Sequence, residues 1–142
     1  MNGRSVAVRV LRRAAWAPAA VLAAHLALLL LQAYQRYPDL DIAMHFAGGL
    51  AVAHLIARGL DAGREGGAVR LAPPGLEILI IVACTALVAI LWELHELALD
   101  SLIRTRQLGD AVDTLSDLSF GLLGATAYAA LRWRRGPGPR RG

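Results

Sequence analysis

The sequence predicts an all-α fold, an integral membrane bundle of four transmembrane helices with both termini on the cytoplasmic side. Three observations predict it. Hydrophobic residues make up 56% of the 142-residue chain and charged residues only 18%, against about 25% charged in a soluble domain. Four uncharged apolar stretches recur along the chain, at residues 16–34, 42–57, 78–92 and 118–131. The fifteen basic residues, all arginine, are divided unevenly between the alternating connections.

The first span, 15–35, contains nineteen uncharged residues from Trp16 to Tyr34, close to the ~20 that a bilayer core requires. Arg4, Arg9, Arg12 and Arg13 precede it, as they would in a secretory leader. The apolar run, however, ends in Gln32, Ala33 and Tyr34 rather than in a small-x-small cleavage site, so the span is expected to be retained. The second span, 40–58, holds His45 and His54. The third, 75–99, runs from the apolar stretch past Glu93 and Glu96 to Leu99. The fourth, 111–132, follows a mixed turn holding Asp113 and Asp117. These three reach bilayer thickness only by including ionisable residues at one end, which is tolerated where such groups face a bundle interior or water. The four spans form one domain, 1–135. Arg58–Pro74, with four glycines and two prolines, reads as a polar connector between two helical hairpins. The Gly/Pro/Arg tail, 136–142, is expected to be disordered.

Orientation follows from counting arginines. The N-terminus, the Arg58–Pro74 connection and the C-terminus share one side and hold twelve; the other side holds Arg36, Arg104 and Arg106. The chain is therefore expected in the bacterial cytoplasmic (inner) membrane, multi-pass, with the lipid bilayer as its partner. Its formal charge of +4 would suggest nucleic acid if read alone. Topology accounts for it instead: +9 on the cytoplasmic side, where twelve arginines face three acids, and −5 outside, where three face eight. No nucleic-acid partner is expected. A single cysteine, Cys84, excludes an internal disulfide and a cysteine-rich zinc module.

The eight outer acids are patterned. Glu93, Glu96 and Asp100 stand at i, i+3, i+7, one helix face, and Asp110, Asp113 and Asp117 repeat that spacing. Asp41 and His45 are i, i+4 on the second span. At 1.5 Å per residue, His45, Glu93 and Asp117 each lie roughly 7–9 Å below the outer boundary. Unpaired carboxylates at that depth are costly, about 3 kcal/mol each. A divalent cation, protonation, or pairing with Arg104 and Arg106 would relieve the cost. The oxygen and imidazole donors suit Zn, Mn, Fe or Mg. The candidate metal ligands are His45, Glu93, Asp113 and Asp117, with Glu96 as a general base beside a bound water. Asp41, Asp100 and Asp110 complete a polar pocket, Asp110 also being placed to cap the fourth helix.

Other residues read as structural. His95-Glu96 begins like a zincin motif, but Leu99 stands where the second histidine would be. His25 reads as an interior histidine, and His54, half a turn round from His45, is expected to face elsewhere. Cys84 reads as a core residue, and Ser116 lacks a histidine partner readable from spacing. Gly48 and Gly49 with Ala43, Ala47 and Ala51, and Gly121 with Gly124 and Ala125, predict close helix contact.

Three blocks occur in order: Asp41-Ile-Ala-Met-His45-Phe46-Ala-Gly48, then Trp92-Glu93-Leu-His-Glu96, then Gly109-Asp110-Ala-Val-Asp113-Thr114-Leu-Ser-Asp117 with Gly121 and Gly124-Ala125. Together, over residues 39–126, they resemble the YjdF-like family of small bacterial membrane proteins. More loosely they are similar to the VanZ-like family, which shares an Asp-x-x-x-His-Phe start and a late Asp-x-x-x-[Asn/Asp]-x-x-Gly pattern. His95 between the glutamates and Ser119 after Leu118 depart from those patterns. The resemblance implies an uncharacterised inner-membrane protein; VanZ-like relatives are linked to glycopeptide tolerance. Three functions remain open: metal-assisted hydrolysis or transfer on an envelope or lipid-headgroup substrate, a carboxylate-based carrier or binding module, and a structural protein held by a polar interhelical network.

Overall fold

A computed structural model describes residues 8, 12–67, 73–103 and 110–135. Five helices follow in order: α1 (Trp16–Leu30), α2 (Ala33–Arg36), α3 (Asp39–Glu65), α4 (Pro74–Ile103) and α5 (Ala111–Arg134). The described residues contain no strand. The expected tail 136–142, Arg104, Arg106 and residues 68–72 of the long connection lie outside the described residues.

Local chemistry sets the helix ends. Pro38 precedes α3 and Pro74 opens α4, positions where a missing N–H costs nothing. Asp39 and Asp41 occupy the first turn of α3, where the helix dipole favours acids. The Asp110 carboxylate caps α5, accepting from the backbone N–H of Val112 (2.9 Å) and Asp113 (3.0 Å).

The expected span 15–35 is two helices rather than one. Leu31 and Gln32 close α1 with backbone bonds to Ala27 and Leu29, and Gln32 takes a left-handed conformation, φ 52°. The fifteen residues of α1 rise only about 22 Å, against ~30 Å of hydrocarbon. At the other extreme α3 runs through the first half of the expected connector to Glu65. Arg58–Asp61 and Arg64–Asp61 ion pairs at i, i+3 support that extension.

By length and composition, α3 and α4 can cross a membrane, α4 over Gly75–Leu102. Four spans were expected. α1 is too short by this measure, and α5, though 24 residues long, is diluted by Thr, Ser, Gly and Asp117. Only 22% of the apolar window of α3 and 11% of that of α4 is buried. Leu79, Leu87, Leu91 and Leu94 of α4 are all exposed. A soluble core helix would bury such a surface; hydrocarbon is the solvent that suits it.

Packing is built on small residues. Gly49, Ala53 and Ala57 of α3 and Gly121, Ala125 and Ala129 of α5 are buried at successive i+4 positions. A Cβ at Gly49 would strike the Gly121 carbonyl, and one at Gly124 the Phe46 carbonyl, so the two backbones meet directly. Ala43 is exposed and a Cβ on Gly48 would meet nothing within 4 Å, so these two lie outside the expected contact. Ile81 of α4 completes the core with Ala53, Ala57, Ala125 and Ala129. α4 packs on α5 and α3, while α1 packs on α3 and makes no backbone approach to α4.

One end of the bundle is tied by ion pairs. Arg132 of α5 donates to Asp61 from both Nη atoms (2.6 and 3.1 Å) and from Nε to Glu77 (2.9 Å). Arg64 reaches the other Glu77 oxygen at 2.5 Å. Three helices are thereby pinned by forked, charge-assisted bonds.

The packing predicts unequal effects of one added methyl. Gly124→Ala should lower stability by about 2–3 kcal/mol, while Gly48→Ala should be neutral or stabilising by about 0.5–1 kcal/mol. Thermal unfolding in detergent reads both, and equal losses would contradict the α3–α5 contact described.

Candidate functional site

At the end opposite Arg132, three helices bring acids around one imidazole. Asp41 and His45 come from successive turns of α3, Glu93 and Glu96 from one face of α4, and Asp117 from the second turn of α5. His45 is central. Its Nε2 lies 3.7 Å from Asp41 Oδ1 and 3.7 Å from Asp117 Oδ2, and its Nδ1 lies 3.9 Å from Glu93 Oε1. Two sets of donor atoms each fall within 4.8 Å of one another: Asp41, His45 and Asp117, and His45, Glu93 and Glu96.

Burial makes this arrangement demanding. Glu93, Glu96 and Asp117 are only 7%, 6% and 4% exposed. The separations from His45 exceed a hydrogen bond, and a neutral imidazole has one N–H to offer. Glu93 Oε1 and Asp117 Oδ1 are buried with no hydrogen-bond partner. The Thr114 side chain stands near Glu93, and Trp92 donates its indole N–H to Glu96 at 2.8 Å. Both groups are neutral. Among the described residues, no arginine forms an ion pair with these four carboxylates. The Arg132 end provides the contrast, since Asp61 and Glu77 are each met by guanidinium groups.

Sequence spacing located most of this group. His45, Glu93, Glu96 and Asp117 converge as expected, and Asp41 joins them at ligand separation. Asp113, exposed in the first turn of α5 with its N–H bonded to Asp110, lies close enough to Asp41, His45, Glu93 and Asp117 to act on them electrostatically but belongs to neither donor set. Asp110 is an exposed N-cap, and Asp100 is half-buried one turn beyond Glu96. His54 faces elsewhere, as expected, with its Nδ1 3.1 Å from the Tyr128 hydroxyl. His25 has Tyr34 as its partner (2.9 Å) and stacks edge-on with Trp92 at 5.3 Å. Trp92 therefore links His25 to Glu96, a role legible only as an i, i+4 spacing to Glu96. Cys84, expected in the core, is exposed on α4, where a small apolar side chain suits a lipid-facing surface.

A family profile described as predicted membrane protein (DUF2238) matches residues 6–137. The chain belongs to the DUF2238 family of predicted membrane proteins. Neither a curated protein nor a solved structure matches it. Membership agrees with the exposed apolar surfaces of α3 and α4. The match spans every helix described, so in this DUF2238 chain the His45 cluster lies within the family domain.

Unpaired like charges predict a sign. In chelator-treated protein at pH 8, Asp117→Asn should raise the thermal midpoint, because it removes one of two carboxylates held within 4.8 Å of each other. At an effective dielectric near 20 that repulsion is about 3 kcal/mol. A fall of similar size would show that Asp117 is instead satisfied in the folded state.

Proposed function

We propose that this chain is an inner-membrane protein of four spans, both termini cytoplasmic, whose His45 cluster holds a divalent cation in the outer-leaflet half and uses it on a lipid-headgroup or other envelope substrate. The observation that carries this is the absence, among the described residues, of any arginine paired with four gathered carboxylates, two of which have orphaned buried oxygens. A cation held between Glu93 and Asp117, with one ring nitrogen of His45 turned to it, would meet both orphans. Neighbouring ligands of Zn or Mg stand about 3 Å apart around an ion held at 2.0–2.2 Å. The 3.7 Å separations are from Nε2 to Asp41 and Asp117 and the 3.9 Å one from Nδ1 to Glu93, so the ring must turn as well as the ligands draw in.

Roles follow from position. His45, Glu93 and Asp117 are ligands, and Asp41, nearer the surface, is a fourth. Glu96, held by Trp92, is the general base for a water polarised by the ion. Asp113 stands exposed one turn above Asp117, where it draws cations toward the pocket. The arginine asymmetry supports the orientation, and the exposed Leu22, Leu26 and Leu30 of α1 and Leu115, Leu123 and Leu131 of α5 support membrane placement of those helices. The three motif blocks resembling YjdF-like and VanZ-like proteins contain every proposed ligand. A carrier would need a polar path across the bundle. Between the two ends lies the core of Ala53, Ala57, Ile81, Ala125 and Ala129.

Metal analysis of the detergent-purified protein tests the proposal. About one divalent ion per chain is expected in the wild type. Glu93→Gln and Asp117→Asn should each reduce occupancy at least tenfold, with the fold retained on gel filtration. No ion in the wild type after supplementation with Zn, Mn, Fe or Mg would contradict it.

A further inference from the structure

α1 and α4 leave a seam between them. Neither helix approaches the other by backbone, and a cavity of about 270 Å³ lies between them over the face of α3. α1 turns Pro18, Val21, Leu22 and His25 to this cavity, and α4 turns Thr85, Val88, Ala89 and Trp92. Each set is an i, i+3, i+4, i+7 face, the stripe that a helix ordinarily packs against a neighbour. Here the two stripes face each other across empty space. The cavity is therefore about 10 Å long and apolar along its length. Asp41 and His45 stand at one end, and the edge-on contact of His25 with Trp92 bridges the helices there.

Size limits the occupant. The volume falls just below the ~300–1,000 Å³ of small-molecule sites. The apolar walls disfavour water. In a bilayer, the molecules that meet a narrow apolar seam between helices are lipid chains. The floor is open for one, because a Cβ added at Gly48 would meet nothing within 4 Å.

We propose that the α1–α4 cleft seats one acyl chain of a bilayer phospholipid whose headgroup reaches the Asp41–His45 end. The substrate class is then a phospholipid engaged by both chain and headgroup. This rests on the reading of the His45 cluster as a cation site, since an ion held there attracts a phosphate that bare carboxylates would repel. The apolar cleft explains how a lipid is held with its headgroup beside His45 rather than diffusing past in the leaflet.

The test uses the full chain in detergent and a phosphatidylglycerol probe with a photoactivatable diazirine on its acyl chain. Labelling is mapped by mass spectrometry. Saturable labelling is expected at Val21, Leu22, Val88 and Ala89, and only non-saturable labelling at the outward Leu87 and Leu91. Gly48→Leu should reduce cleft labelling at least tenfold while keeping metal content. Gly59→Leu, on the same helix and equally free of neighbours, should change neither. Glu93→Gln should lose the ion yet keep chain labelling, which separates failure of the cation site from failure of the cleft. Cleft labelling that survives Gly48→Leu, or falls equally in Gly59→Leu, overturns the proposal. If Gly48→Leu does not fold, the wild-type map decides, and labelling no more saturable at Val21 and Val88 than at Leu87 and Leu91 overturns it.

Discussion

Four carboxylates converge on a single imidazole at one end of this bundle, and three of them are almost wholly buried. Like charges in such a place repel by about 3 kcal/mol per close pair even at a generous effective dielectric. The backbone does not spread them apart. α3 and α5 meet backbone to backbone, Gly49 at Gly121 and Gly124 at Phe46, and α4 packs on both. The fold therefore imposes an electrostatic problem that a proton, a cation or a guanidinium from outside the described residues would each relieve.

The two ends treat charge in opposite ways. At one end Arg132, Arg64 and Arg58 meet Asp61 and Glu77, with three cations for two acids. This end is saturated, and its effect is to lock three helices. At the other end four acids face one histidine and a neutral donor from Trp92. Paired acids stabilise a fold, and acids left without a partner are available to a ligand. The α1–α4 seam opens beside the His45 end rather than beside Arg132.

Much of this was legible in the sequence because helical periodicity is local. The i, i+3 and i, i+4 spacings put Glu93 with Glu96 and Asp41 with His45, and depth arithmetic brought Asp117 to the same layer. The same arithmetic put Asp113 on the face of Asp117, and the Asp110 cap leaves it in the exposed first turn, within electrostatic reach of the cluster but outside both donor sets. The break at Gln32 had no Gly or Pro to announce it, only a single polar residue at the end of the apolar run. Arg132 was counted only as a topological charge, because its partners lie 55 and 71 residues away and no spacing rule connects them. The cavity was equally hidden, being a property of two helices whose backbones stay apart. Gly48 and Gly49 look alike in sequence, and only the tertiary contact separates the one that faces the cavity from the one that meets Gly121.

Anomalous diffraction at the absorption edge of the bound metal, from crystals of the full chain, tests the central claim most directly. A peak is expected about 2.0–2.2 Å from a ring nitrogen of His45 and from carboxylate oxygens of Glu93 and Asp117. A cluster with no peak and an arginine guanidinium seated among these carboxylates would contradict it.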